Sequence, residues 1–124
     1  MKWEKAPEEL VSFLSETMKD IDCQYKKMFG YPAYFINSNM FIGAHQRNLF
    51  IRLSEEDRKK IMSQYNEVSP FVPMVGHVMH EYVVIPETLY RDTERFAGIL
   101  NMSIEYVSSL PPKGKGKSRK KKRT

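Results

Sequence analysis

Residues 28–53, MFGYPAYFINSNMFIGAHQRNLFIRL, contain three short runs rich in aromatic and β-branched residues: Ala33 to Ile36, Met40 to Gly43 and Leu49 to Leu53. Asn37-Ser38-Asn39 separates the first two and Gln46-Arg47-Asn48 precedes the third, a pattern that reads as strands joined by tight turns. Connections this short leave no room for a crossover, so neighbouring strands must run antiparallel. The predicted centre is therefore a meander. In Leu49-Phe50-Ile51-Arg52-Leu53 the odd-numbered residues are aliphatic, so one face should be buried and the other, carrying Arg52, partly wet. Phe50 breaks this alternation and calls for a cover on the second face, a further helix or a partner.

Working outward, Pro7-Glu8-Glu9 starts a helix, with proline in the first turn and acids at the positive end of the helix dipole. Leu10, Phe13, Leu14, Thr17, Met18 and Ile21 follow at three- and four-residue steps, an amphipathic stripe suited to packing on a sheet. Tyr25 to Phe29 reads as a first strand, with Gly30 and Pro32 marking a bend. Ser54 caps a helix that opens on Glu55-Glu56-Asp57 and runs to about Tyr65, with Ile61, Met62 and Tyr65 on one side. Residues 66–78, with Pro70, Pro73 and Gly76, show no sustained period and read as a loop. Glu81 to Ile85 reads as a strand that Pro86 stops, opening a short helical turn. From Thr93 the spacing of Phe96, Ile99, Leu100, Ile104 and Val107 is helical, ending at Leu110 before Pro111-Pro112. The predicted order is α-β-β-β-β-α-β-α: an α+β two-layer sandwich, with helices packed on an antiparallel sheet of about four to five strands.

A chain of 124 residues supports one core without disulfides or metal. The net charge of +5 is unevenly distributed. Eight of the twenty bases fall in residues 113–124, which hold no acid, so residues 1–112 set twelve bases against all fifteen acids and carry −3. The expected organisation is a mildly acidic domain over 1–112 and a basic tail over 113–124, too poor in apolar residues to offset the entropy of its own ordering and so disordered alone. No apolar run approaches the roughly 20 residues that span a bilayer, and no apolar segment follows the N-terminus as in a signal peptide. The expected location is cytoplasmic, with no membrane partner, and the lone Cys23 agrees with a reducing compartment.

Catalysis would need a nucleophile, a base and an orienting group. The conspicuous nucleophile is Cys23, beside Asp22 and just after a helix, where the carboxylate and the helix C-terminus both disfavour thiolate. No Gly-x-Ser-x-Gly elbow, phosphate loop or dinucleotide fingerprint is present, so the expectation is a non-enzyme without cofactor. His77 and His80, with Glu81 beside them and His45 elsewhere, are the weak candidates for a metal. On a strand, residues three apart point to opposite faces, and the cysteine patterns of structural zinc are missing, so no metal is expected. Met28, Met40, Met62 and Met102 fall where strand and helix patterns ask for core. Phe71, Val72, Met74 and Val75, in the irregular segment, are the interaction-loop candidates, because an apolar loop is either pinned to the core or used as a contact. Sheet edges and exposed aromatics in so small a domain point to a homodimer, with a further protein as the other candidate partner.

The tail names a partner class. Lys113, Lys115, Lys117, Arg119, Lys120, Lys121, Lys122 and Arg123 would give weak, sequence-blind, salt-sensitive attraction to nucleic acid. No aromatic residue is interleaved among them, so the tail by itself does not suggest stacking on single strands.

Met28-Phe29-Gly30, Phe35-Ile36-Asn37, Met40-Phe41, Gly43 and Leu49 to Ser54, followed in order by Pro70-Phe71, Pro73-Met74, Gly76, Met79 and Glu81 to Pro86, resemble the TfoX N-terminal domain family. That family takes its name from a bacterial regulator of DNA-uptake competence. The resemblance implies an α+β layout, no catalytic residues to transfer, and a link to competence genes, where the namesakes act with a transcription activator at promoters. Two features depart from it. The namesakes carry a second, C-terminal domain where this chain has its tail, which makes it a single-domain member, and Ser38 stands at a turn position where members often have Gly. The combined expectation is a non-enzymatic regulatory or binding module with a nucleic-acid-attracting tail. The alternatives are a protein–protein interaction module, or a small-ligand binder or enzyme using a pocket between the sheet and residues 66–78.

Overall fold

β2 (Tyr31–Ile36), β3 (Asn39–His45) and β4 (Asn48–Arg52) form the expected antiparallel meander in the computed structural model, which describes residues 5–28, 30–74 and 76–112. Each hairpin turn has two residues. Asn37 (φ 53°) and Ser38 (φ 66°) both lie in the left-handed region, as a type I′ turn requires, and Gln46 (φ 56°) does so at the first position of the second turn. Ser38 thus occupies a conformation that glycine reaches without strain.

β3 carries an extra residue. Tyr34 pairs with Ile42 but Phe35 pairs with Met40, leaving Phe41 as a bulge. The bulge turns both Phe41 and Ile42 inward, and both are fully buried. α1 (Glu8–Met18) and α4 (Thr93–Ser108) cover this face with Leu10, Leu14, Met18, Phe96, Ile99 and Val107, which meet Ile42, Leu49, Ile51, Val83 and Ile85 from the sheet. Each fully buried Leu or Ile contributes about 1.5–3 kcal/mol. The Ser103 hydroxyl of α4 donates to the Phe41 carbonyl at 3.4 Å, which ties the bulge to the helix. α2 (Glu55–Gln64) begins as read, with Ser54 Oγ accepting from the Asp57 amide at 3.2 Å, and α3 (Glu87–Tyr90) is the short helix after Pro86.

Residues 66–78 are not a loop. They contain β5 (Ser69–Met74) and the start of β6 (His77–Ile85), an antiparallel hairpin that extends the sheet to six strands in the order β1-β2-β3-β4-β6-β5, with β1 spanning Gln24–Met28. Pro70 and Pro73 masked this strand in the sequence. The fold tolerates them because β5 is an edge, where a missing amide donor breaks no ladder, and the pairing shifts register on both sides of Phe71. The α+β class stands; the strand count is six rather than four to five.

Phe50 is covered by neither a helix nor a partner. Its ring stacks on Phe71 with centroids 4.6 Å apart and planes at 13°, and Tyr82 meets it edge-on at 5.7 Å. His45 lies 5.6 Å from Phe71 and 5.0 Å from Tyr31, so an aromatic row crosses the face opposite α1 and α4. For β5 to place Phe71 against residues of β3 and β4, the sheet must curl, and the concave side so formed holds the candidate site.

Candidate functional site: a methionine-lined cleft

On the concave side, at the end of the sheet where β4 finishes, lies a cleft of about 380 Å³. Every strand but β5 contributes to it: Met28 from β1, Phe35 from β2, Met40 from β3, Arg52 from β4, and Met79, His80, Glu81 and Tyr82 from β6. The register explains the gathering. Phe35 faces Met40 across β2–β3, and Arg52 faces Tyr82 across β4–β6.

Arg52 is the fixed charge of the site. Its Nε and Nη2 both reach Glu81 Oε1 at 2.6 Å, and its guanidinium lies 5.8 Å from the ring centroids of both Tyr82 and Tyr106. The Arg52 side chain is only 17% exposed while Glu81 is 41% exposed, so the acid is the member of the pair that meets solvent. The Tyr82 hydroxyl donates to the Met40 carbonyl at 3.0 Å. Burial raises the Tyr82 phenol above its ordinary value, with Arg52 pulling the other way. Tyr106 is raised too, by burial first and then by Glu81. Both phenols therefore stay protonated across the neutral range. The lining holds no serine, threonine or cysteine. What it offers is polarizable thioether, the Phe35 and Tyr82 rings, the His80 imidazole and one ion pair, which is chemistry for holding a ligand.

The remaining sequence candidates are dispersed. Phe71 is buried in the aromatic row, Val72 is exposed on β5, and Met74 ends that strand; Val75 and the tail cations Lys113 to Arg123 lie outside the described residues. His77 and His80 both lie on β6, three residues apart. Among the described residues no group of three or more His, Cys, Asp or Glu is placed to hold a metal ion. Cys23 is half-buried, and its thiol is raised by burial first and by Asp22 second. Met28 and Met40, read from the sequence as core, instead line the cleft, whereas Met62 and Met102 do pack against the core. The cleft as a unit was missed; its one legible signal was Arg52, a cation set in an otherwise apolar strand. A smaller apolar hollow of about 140 Å³ lies between α1 and α4, lined by Phe13, Tyr90 and Phe96 among others.

A family model described as the TfoX N-terminal domain matches residues 17–107. This chain belongs to the TfoX N-terminal domain family. The match begins near the end of α1 and finishes one residue before the end of α4, so it encloses the whole sheet and the cleft. Comparison with curated proteins and with solved structures gives no match. No helix among the described residues is long and apolar enough to cross a membrane.

Proposed function

We propose that this TfoX N-terminal domain is a cytoplasmic, non-enzymatic regulatory module, tied to transcription in DNA-uptake competence, and that its basic tail brings it to nucleic acid. Family membership over residues 17–107 carries the regulatory part of the reading. The nucleic-acid part rests on charge segregation: a body at −3 is repelled by phosphate, so the eight cations of residues 113–124 must supply the attraction. Such a tail contributes affinity without sequence choice, and selectivity then falls to the body or to a protein bound by it.

The test is to titrate duplex DNA with the full chain and with a version ending at Pro112, each at two salt concentrations. The reading expects the full chain to bind with a log–log salt slope of up to about −7, eight contacts at about −0.9 each. The shortened chain should bind at least tenfold more weakly with a flat slope. Binding unchanged by truncation would refute the tail's role.

A second reading is a protein-interaction module, with another copy of this chain among the partners. Val72 and Val78, both exposed on the β5–β6 hairpin, favour it. Retention of a partner that is lost on Val72→Ser would distinguish it from the nucleic-acid reading.

A further inference from the structure

We propose that the methionine-lined cleft binds a soft monovalent metal ion of the Cu(I) class through the thioethers of Met28, Met40 and Met79 and the imidazole of His80. The site belongs to the body of the chain and is independent of the tail reading above.

The donor set comes first. Three of the chain's eight methionines and one of its three histidines fall in a lining of eight residues. Thioether sulfur selects Cu(I), and imidazole accepts copper readily, whereas Mg²⁺ and Ca²⁺ require oxygen. The cysteine and histidine spacings of structural zinc give no sign of such a site, because its sulfur comes from methionine.

The second point is how one strand supplies two donors in succession. Neighbouring residues of a regular strand face opposite sides of the sheet. On β6, however, Val83 pairs with Pro70 while Met79 pairs with the very next residue of β5, Phe71, so residues 80–82 have no partner in β5. The strand buckles there, and Met79, His80, Glu81 and Tyr82 all line the same cleft. Met40 enters from β3 directly across from Phe35, and Met28 from the edge strand β1, where it is 36% exposed and open to an incoming ion.

Charge then selects among ions. The one carboxylate of the lining, Glu81, is held by Nε and Nη2 of Arg52, both at 2.6 Å, so the pair is neutral and leaves no free acid to draw a hard cation. The Lys26 ammonium, 5.3 Å from the Phe35 centroid, repels a divalent ion twice as strongly as a monovalent one. The cleft, about 380 Å³, is wider than a bare ion, but unbranched methionine side chains adapt and can draw their sulfurs in around it. An apolar ligand would meet the same side chains as mere surface, so the test separates sulfur chemistry from volume.

Cys23 is the competing soft donor, so the experiment uses the full chain with Cys23→Ala and ¹³C-methyl methionine, titrated in chloride-free buffer with Ag(I) as a redox-inert stand-in for Cu(I). Ag(I) is expected to shift the methyl signals of Met28, Met40 and Met79 together, saturating at one equivalent, and to leave Met18, sealed in the core, unmoved. Zn(II) should shift none of the three. Met40→Leu and Met79→Leu, which keep apolar volume, and His80→Gln should each weaken Cu(I) binding, read by competition with a chromophoric chelator, at least about tenfold, a loss that even an outer-shell partner of a metal site causes. Methyl shifts that vanish once Cys23 is replaced, shifts that Zn(II) reproduces, or leucine variants that keep the parent's affinity would each overturn the site. Should those variants fail to fold, the methyl shifts of the Cys23→Ala chain decide. A chain that ignores duplex DNA yet takes up Ag(I) at these methyls loses the tail reading and keeps this one.

Discussion

A Cβ placed on Gly43 would sit 2.7 Å from the Pro32 carbonyl oxygen and 2.8 Å from Phe50 Cζ. The ring could swing aside, but the carbonyl belongs to the β2 backbone, so Gly43→Ala is expected to lower stability by about 1–3 kcal/mol in urea unfolding. Gly98 gives the opposite case. It lies exposed within α4 with nothing within 4 Å of its would-be Cβ, so Gly98→Ala should gain about 0.5–1 kcal/mol in the same assay. His45 adds a pH dependence. Burial lowers its folded pKa below the ordinary 6.5, so the unfolded chain takes up the proton first. The stability held above that value is then lost as pH falls through the folded pKa. Melting temperature should therefore drop between about pH 7 and pH 5. His45→Phe, which keeps a ring between Tyr31 and Phe71, should flatten that part of the curve. At this scale the sequence was only partly readable. Leu49, Ile51 and Leu53 declared their burial by alternation, but Phe50 gave no hint that its cover would come from Phe71, twenty-one residues on, because stacking across a curled sheet leaves no local period.

Elements were legible wherever one period ran unbroken. α1 and α4 keep helix spacing throughout, the β2–β4 meander was marked by its short turns and aromatic and β-branched runs despite the bulge at Phe41, and the structure places all of them within a few residues of the expected bounds. β5 was hidden because two prolines in six residues argue against a strand, an argument that holds in the middle of a sheet and fails at its edge. Those prolines also defend the edge, since Pro70 and Pro73 offer no amide to an incoming strand. β1, the opposite edge, is exposed along its whole length and is defended by Lys26 and Lys27. Two copies paired antiparallel about the centre of β1 would bring lysines face to face. Replacing Lys26 and Lys27 together by valine should remove the repulsion and lengthen the apolar edge from Tyr25 to Met28. Sedimentation velocity at rising concentration should then show association well beyond that of the parent chain, and identical profiles would refute the guard role.

At the scale of the whole molecule, eight of the twenty basic residues fall in residues 113–124, which hold no acid, so their effect is separable by truncation. Among the described residues, the last ones tied to the body are Leu110, packed against the core, and Pro111, held by Asn39. Removing residues 113–124 deletes none of these contacts and changes the net charge from +5 to −3. Two opposing effects then act on stability. Loss of the tail's positive field weakens its attraction for the acidic body, while loss of twelve residues removes their mutual repulsion. Both are screened at about 0.15 M salt, where the Debye length is about 8 Å. The chain ending at Pro112 is thus expected to unfold in urea within about 0.5 kcal/mol of the full chain at that salt, the range of surface changes that touch no packed group. It should nonetheless elute from an anion exchanger on which the full chain is not retained. A fall of several kcal/mol on truncation would mean that the tail is part of the folded body. The charge argument for nucleic acid would then have to be rebuilt on the surface those cations actually occupy.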